Sequence, residues 1–270
     1  MIRIALLLTI LGVLLMSVWL FVAHPWWFPA GVSAHAPAMD HQFAVAFRLL
    51  GGLFIAGQLL LAFVIFRARA HNGAPTGSQA PRFPRGDWRF EAAWTIATTC
   101  IFFGLSLAGG KLWSQIRLHD AEPGALNVEV TGMQFQWYFR YAGADGKLGR
   151  IDAQRFARPD EGNPLGIDPG DPAGRDDIVS SAMVVPAGRE VMLTLRAQDV
   201  IHSLFIPAMR FKQDAVPGME IHAKFKPMQT GNYEIACTQL CGLGHYRMRA
   251  TVRVVSEVEF KGWLREQAAR

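Results

Sequence analysis

The stretch Cys237-Thr238-Gln239-Leu240-Cys241-Gly242-Leu243-Gly244-His245-Tyr246-Arg247-Met248 places two thiols, an imidazole and a thioether within twelve residues. A second imidazole, His202, lies 35 residues before the first cysteine, at the end of a β run. Thiolate and thioether ligands combined with imidazole select copper over hard cations. A blue-copper site uses one Cys, two His and a weak axial Met on a loop between the strands of a β-sandwich. This chain holds that set with one Cys to spare. The economical use of the extra thiolate is a second copper, because each sulfur has lone pairs enough to bridge two metals. One His then caps each ion, Met248 completes one of them, and a backbone carbonyl between the cysteines completes the other. No position is left open for substrate, so the chemistry expected of such a pair is electron transfer. A structural zinc site and a simple disulfide are the bland alternatives for the same residues.

The surroundings of that loop read as β structure. From Ala125 onward, short β runs are separated by turn residues. Val128 and Val130, then Phe135, Trp137 and Phe139, alternate with polar or small residues. Val191, Leu193 and Leu195 alternate with Met192, Thr194 and Arg196. Met183–Val185, Ile221–Phe225, Tyr233–Ala236 and Ala250–Val255 complete the set, which predicts a β-sandwich or small Greek-key barrel. Residues 142–177, rich in Gly, Pro and Asp, read as a solvated insertion loop. Ser256-Glu257-Val258-Glu259 is a capping box, predicting a terminal helix with Phe260, Trp263 and Leu264 on one face.

The first 113 residues are of another kind. Three apolar runs, Ile4 to Ala23, Phe43 to Phe66 and Ala92 to Gly110, are each long enough to cross a ~30 Å bilayer. Arg48 lies near the start of the second and Cys100 inside the third, where an inert buried thiol is expected. Gly104 and Ala108 form a small-xxx-small pair. The loop between the second and third runs carries Arg67, Arg69, Arg82, Arg85 and Arg89, whereas His24 to Gln42 has no Lys or Arg. The positive-inside rule puts the 67–90 loop in the cytoplasm and everything after about residue 114 outside. Trp26, Trp27 and Phe28 sit where an interfacial aromatic belt belongs. Two readings of the first run stay open: a retained helix, or a signal segment with Val32-Ser33-Ala34 as its cleavage site.

Charge separates the same two parts. Of 27 Lys+Arg and 22 Asp+Glu, the stretch from Ser114 holds 19 and 19, leaving 8 basic and 3 acidic residues in the apolar part. The net +5 is therefore an orientation signal and predicts no nucleic-acid partner. The domains expected are 1–42, a first helix or signal segment; 43–113, a helical hairpin with the basic loop; and 114–270, the exported β domain with its insertion. The remaining histidines, His24, His35, His41, His71, His119 and His222, have no ligand spacing.

Taken together, these residues resemble subunit II of cytochrome c oxidase. Cys-x3-Cys-x3-His-x2-Met is the binuclear copper A motif of that family. Asp199-Val200-Ile201-His202-Ser203 resembles its His-bearing loop and Lys212 to Gly218 its following turn. Gly132 to Tyr141 is similar to its aromatic strand and Glu91-Ala92-Ala93-Trp94-Thr95 to the start of a membrane helix. The resemblance implies a membrane-anchored all-β protein, with transmembrane helices followed by a cupredoxin-like Greek-key sandwich and a short C-terminal helix. It implies copper ligands His202, Cys237, Cys241, His245, Met248 and the main-chain carbonyl of Gln239. It implies electron transfer from cytochrome c to haem in subunit I of a haem–copper oxidase, where oxygen is reduced with proton pumping. The location implied is a bacterial-type inner membrane, with the C-terminal domain periplasmic.

The chain departs from the family at two positions. Where the family usually has Glu, this chain has Gln239, which keeps the carbonyl for copper but lacks the charge the family uses for magnesium at the subunit I interface. The family's electron-accepting Trp is Phe135 here, so Phe135 or Trp137 is the residue expected to receive electrons. Glu91 corresponds to a carboxylate near the mouth of a proton channel, or is a first-turn acid on the helix dipole. The alternatives carried forward are the copper A subunit of a nitric oxide reductase and a membrane-tethered copper carrier.

Overall fold

A computed structural model describes residues 2–23, 29–67, 86–156 and 162–269. Helices α1 (Ile2–Ala23), α2 (Ala36–Arg67) and α3 (Trp88–Arg117) are each long and apolar enough to cross a membrane, containing 18-residue stretches with mean hydropathies of 2.6, 2.4 and 1.5. At ~1.5 Å per residue, the 32 residues of α2 reach about 48 Å, beyond the ~30 Å hydrocarbon core. Both α2 and α3 overrun the apolar runs read from sequence. Hydropathy marks what lipid accepts, whereas the hydrogen-bond ladder continues through Asp40-His41-Gln42 in α2 and through Lys111 to Arg117 in α3. Asp87 starts α3, its carboxylate accepting from Arg89 N at 3.0 Å. Trp26, Trp27, Phe28, Arg69, Arg82, Arg85, His24 and His71 lie outside the described residues.

The chain divides into a helical unit (1–28 and 40–113) and a β unit (29–39 and 114–270). The β unit is two five-stranded sheets. One has the order β3 (Ile178–Ser180), β2 (Gln136–Tyr141), β1 (Leu126–Met133), β5 (Val191–Ala197), β8 (Ile221–Phe225). The other runs β4 (Met183–Pro186), β10 (Arg249–Val255), β9 (Gly231–Cys237), β6 (His202–Ile206), β7 (Phe211–Ala215). Among the described strands, β1–β5 and β4–β10 pair in parallel and the others antiparallel. The two-residue period of a strand decides what is buried. Val191, Leu193 and Leu195 of β5 are fully buried against Val128, Val130, Leu204, Ile235 and Val252, while the alternate residues face out. Helix α4 (Glu257–Ala268) begins with the capping box Ser256–Glu259, and its Phe260 and Trp263 pack on Tyr141.

Two features depart from a simple exported sandwich. Residues 29–34, which connect α1 to α2, are an edge of the β unit. Val32 N donates to Ala208 O (2.8 Å), Ala34 N to Lys226 O (2.9 Å) and Met228 N to Val32 O (2.7 Å), and Val32 joins the core. The described residues of the insertion 142–177 are mostly exposed or half-buried turns, pinned at a few points. Asn163 holds both backbone groups of Ile167, Ile151 bridges Ile167, and Leu165 is buried. The insertion is tied to the outer face of the first sheet by Arg140, itself buried. Arg140 pairs with Glu129 at 3.1 Å, pairs with Asp177 of the insertion, and donates to Gly149 O.

Candidate metal centre

Pairing of β6 with β9 sets Leu204 opposite Cys237, and pairing of β9 with β10 sets Ala236 opposite Arg249. His202 at the start of β6, Cys237 at the end of β9 and Met248 before β10 therefore meet at one end of the second sheet. Cys237 N donates to Met248 O at 3.0 Å, closing the loop 238–248 at its base. Within that loop His245 rides on a 3-10 turn, His245–Arg247.

The ligand atoms converge. Cys237 Sγ lies 4.0 Å from Cys241 Sγ, 4.0 Å from His202 Nδ1 and 3.2 Å from Gln239 O. Cys241 Sγ lies 3.5 Å from His245 Nδ1 and 3.7 Å from Met248 Sδ. All six residues named from the sequence as metal ligands are thus brought together. His202, Cys237, Cys241 and Met248 are buried, His245 is half-buried, and the Gln239 side chain is exposed. The sulfurs are far too distant for a disulfide, whose S–S bond is ~2.05 Å. Half their separation is still less than a typical metal–sulfur bond of ~2.3 Å, so one ion reaches both.

Electrostatics make the same demand. Burial raises the Cys237 thiol, but hydrogen bonding with His202 and with backbone groups of Ser203 and Gln239 outweighs it and brings the thiol down to about 6. Burial, and then the neighbouring Cys237 charge, push Cys241 up to about 11. Without a cation the pair keeps one proton. A soft cation bound to both sulfurs removes that conflict, and the donor set fits copper.

Three supports surround the ligands. Asp199 Oδ1 lies 2.8 Å from His202 Nε2, while Gln134 N and Val200 N donate to the carboxylate, each at 2.7 Å. The carboxylate fixes the ring so that Nδ1 faces the thiol. Gln134 Nε2 donates to Cys241 O at 2.6 Å. Gly132 leaves room for the Trp137 ring to meet His202 edge-on, at 5.9 Å between centroids; a Cβ there would sit 3.0 Å from both rings.

The two candidate aromatics differ in placement. Trp137 is fully buried, its Nε1 without a partner among the described residues. Phe135 lies in the β1–β2 turn rather than on a strand, is 37% exposed, and rests on the backbone of Gly242 and Gly244 inside the metal loop. Gly242, at φ +132°, adopts a conformation that L side chains rarely take.

The family described as the periplasmic domain of cytochrome c oxidase subunit II matches residues 126–255. The "Alternative cytochrome c oxidase subunit 2" of Bradyrhizobium diazoefficiens is 33% identical over 266 residues, 97% of this chain and 92% of the relative. The chain belongs to the cytochrome c oxidase subunit II family. It is accordingly a component of an oxidoreductase complex. The subunit II of Cereibacter sphaeroides is 34% identical over 189 residues, 66% of this chain and 60% of the relative. A crystal structure of the periplasmic domain of subunit II from Bradyrhizobium japonicum is 29% identical, covering 55% of this chain and 95% of that one, with a TM-score of 0.40. These relatives do not favour the nitric oxide reductase or copper-carrier alternatives.

Within this subunit II chain, Glu91 lies in the first turn of α3 in the helical unit, exposed, and is no part of the metal cluster. Cys100 is also exposed on α3, not buried as expected. Sequence reasoning about ligands missed Asp199 and Gln134. The spacing Asp-x-x-His at a strand start was the available signal for the first. Nothing in the sequence announced the second.

Proposed function

We propose that His202, Cys237, the Gln239 carbonyl, Cys241, His245 and Met248 would together hold a pair of copper ions, which would supply one-electron redox chemistry. We further propose that the chain accepts electrons from cytochrome c at this centre and passes them to haem in subunit I. The observation that carries this reading is the convergence of two sulfurs, two imidazole nitrogens and a thioether at 3.5–4.0 Å spacings. The chain's own residues hold the pair still: three ligands sit at strand ends, Asp199 fixes His202, and burial of both thiols keeps water away. Phe135 is the electron-receiving residue in this reading, because its ring is exposed and lies on the metal loop, whereas Trp137 lies beneath the surface. Glu91 serves at the mouth of a proton path on the cytoplasmic side, where the arginine-rich loop ends. The loop 237–248 contains no carboxylate, so this chain offers a magnesium ion only neutral oxygens.

Copper loading of the exported unit tests the proposal. Two copper ions per chain, with an EPR hyperfine pattern delocalised over both nuclei, are expected. One copper per chain with a mononuclear blue-site spectrum would overturn it.

A further inference from the structure

Arg48 is a full charge inside an apolar span, and an ionisable residue there points to a partner. It lies five residues past Phe43, where the apolar run of α2 begins, or about 7–8 Å along the helix. Its side chain turns back toward the start of α2, and Nε donates to Ala44 O at 3.1 Å. That contact uses one of the five guanidinium N–H donors. Among the described residues no acidic side chain pairs with Arg48. The four remaining donors are thus turned back toward the outer end of the span.

Below them runs a groove of about 500 Å³ between α1 and α2, within the ~300–1,000 Å³ range of ligand clefts. Arg48, Gly51, Gly52 and Ile55 follow the i, i+3, i+4, i+7 spacing of one helix face, and Val18 and Phe21 of α1 line the opposite wall. Beside the two glycines the groove is open, since a Cβ on either would meet nothing within 4 Å, and a larger side chain at Gly51 would extend into it. An interfacial arginine alone would meet passing headgroups. Here the charge sits at the top of an apolar slot, so one molecule can satisfy both parts.

We propose that this groove is a phospholipid site. The Arg48 guanidinium takes the headgroup phosphodiester, for which its planar fork of donors is suited. An acyl chain lies along Gly51 and Gly52 between α1 and α2. The proposal rests on α1 and α2 spanning a membrane and is independent of the copper centre.

The test uses the intact oxidase, washed extensively in detergent, with bound phospholipid counted by mass spectrometry. The wild type keeps a phospholipid that Arg48→Gln loses and Arg48→Lys retains. Gly51→Leu, which fills the slot but leaves the charge, loses it as well. Re-addition from vesicles of phosphatidylglycerol or phosphatidylcholine with identical chains identifies the source. Uptake of both supports recognition of the shared phosphodiester, and uptake of phosphatidylglycerol alone supports the site with an anionic headgroup as its ligand. Equal lipid counts in the wild type, Arg48→Gln and Gly51→Leu would overturn the proposal. So would loss of subunit I from Arg48→Gln with its lipid unchanged, which would assign Arg48 to a protein carboxylate.

Discussion

The position of Phe135 over the metal loop depends on Gly244 having no side chain, and this can be measured. A Cβ at Gly244 would sit 2.3 Å from Phe135 Cδ2, 2.6 Å from Cγ and 2.7 Å from Cε2. These are ring atoms and cannot rotate away singly, so in Gly244→Ala the whole ring moves by about 1 Å to reach ordinary contact near 3.4 Å. The backbone is no obstacle, because Gly244 has φ −91° and ψ 7°. Overpacking costs ~1–3 kcal/mol, and the exposed ring can shift toward solvent, which puts the expected loss at the low end, about 1 kcal/mol. In a Phe135→Ala background the clash is gone. Gly→Ala then acts mainly on the unfolded chain and stabilises by ~0.4–1 kcal/mol. The same substitution therefore changes sign between backgrounds, a coupling of about 1.5–2 kcal/mol, inside the range for residues in contact. Urea denaturation of the exported unit, with residues 29–39 linked ahead of residue 114, reads this directly. Equal effects of Gly244→Ala with and without the Phe135 ring would refute the reasoning. In the copper-loaded oxidase, Gly244→Ala is expected to slow electron uptake from cytochrome c while leaving the copper spectrum unchanged.

Asp199→Asn keeps a side chain beside His202 but removes the charge; a ~10–100-fold loss of copper affinity is expected, read by chelator competition. The metal-free thiols tilt stability in opposite directions. Cys237, lowered to about 6 from 9, contributes stability that is present above pH 9 and lost as pH falls toward 6. Cys241, raised to about 11, makes the folded state less stable as pH rises from 9 to 11. The urea midpoint of the metal-free unit should thus rise from pH 6 to 9, and a Cys237→Ser variant should lose that rise. Arg140→Met leaves the inaccessible Asp177 without its cation, while Glu129 keeps Arg196 at 3.1 Å, and should cost about 3 kcal/mol, the low end for breaking a buried pair; adding Asp177→Asn should recover part of it. Because Val32 and Ser33 are buried in the β unit, chain recovered from membranes should retain residues 29–34. A mass corresponding to a mature N-terminus at His35 would refute this.

The metal loop was legible because its ligands are close in sequence and of a rare type. His202 was legible because a histidine at a strand end is brought back to the loop by sheet pairing. Its support was harder to see. Asp199 reads as an ordinary turn acid until the chain reverses between β5 and β6 and turns the carboxylate onto the imidazole. The alternation rule also failed at one residue. Phe135, Trp137 and Phe139 share a parity, but the strand begins only at Gln136, so Phe135 escapes the inward direction that buries the other two. The insertion's composition matched its turns, since Gly, Pro and Asp suit exposed loops; what composition could not show was its anchor, Arg140, buried on the outer face of the first sheet.

The connection between α1 and α2 supplies an independent argument about sidedness. The arginines of the 67–90 loop assign that loop to the cytoplasm by charge alone. Residues 29–34 make their hydrogen bonds with Ala208, Met209, Lys226 and Met228 of the β unit, so they share its side of any membrane. If α2 and α3 each cross once, the 67–90 loop must lie opposite both. The two observations use different residues and different physics, yet require the same topology. A signal segment cut at Ala34 would remove Val32 from the core and leave Ala208 O and Met228 N without the partners they have here. The packing of the β unit therefore argues against a cut at Ala34, in line with a run whose 20 residues exceed the ~7–15 of a usual signal-peptide core.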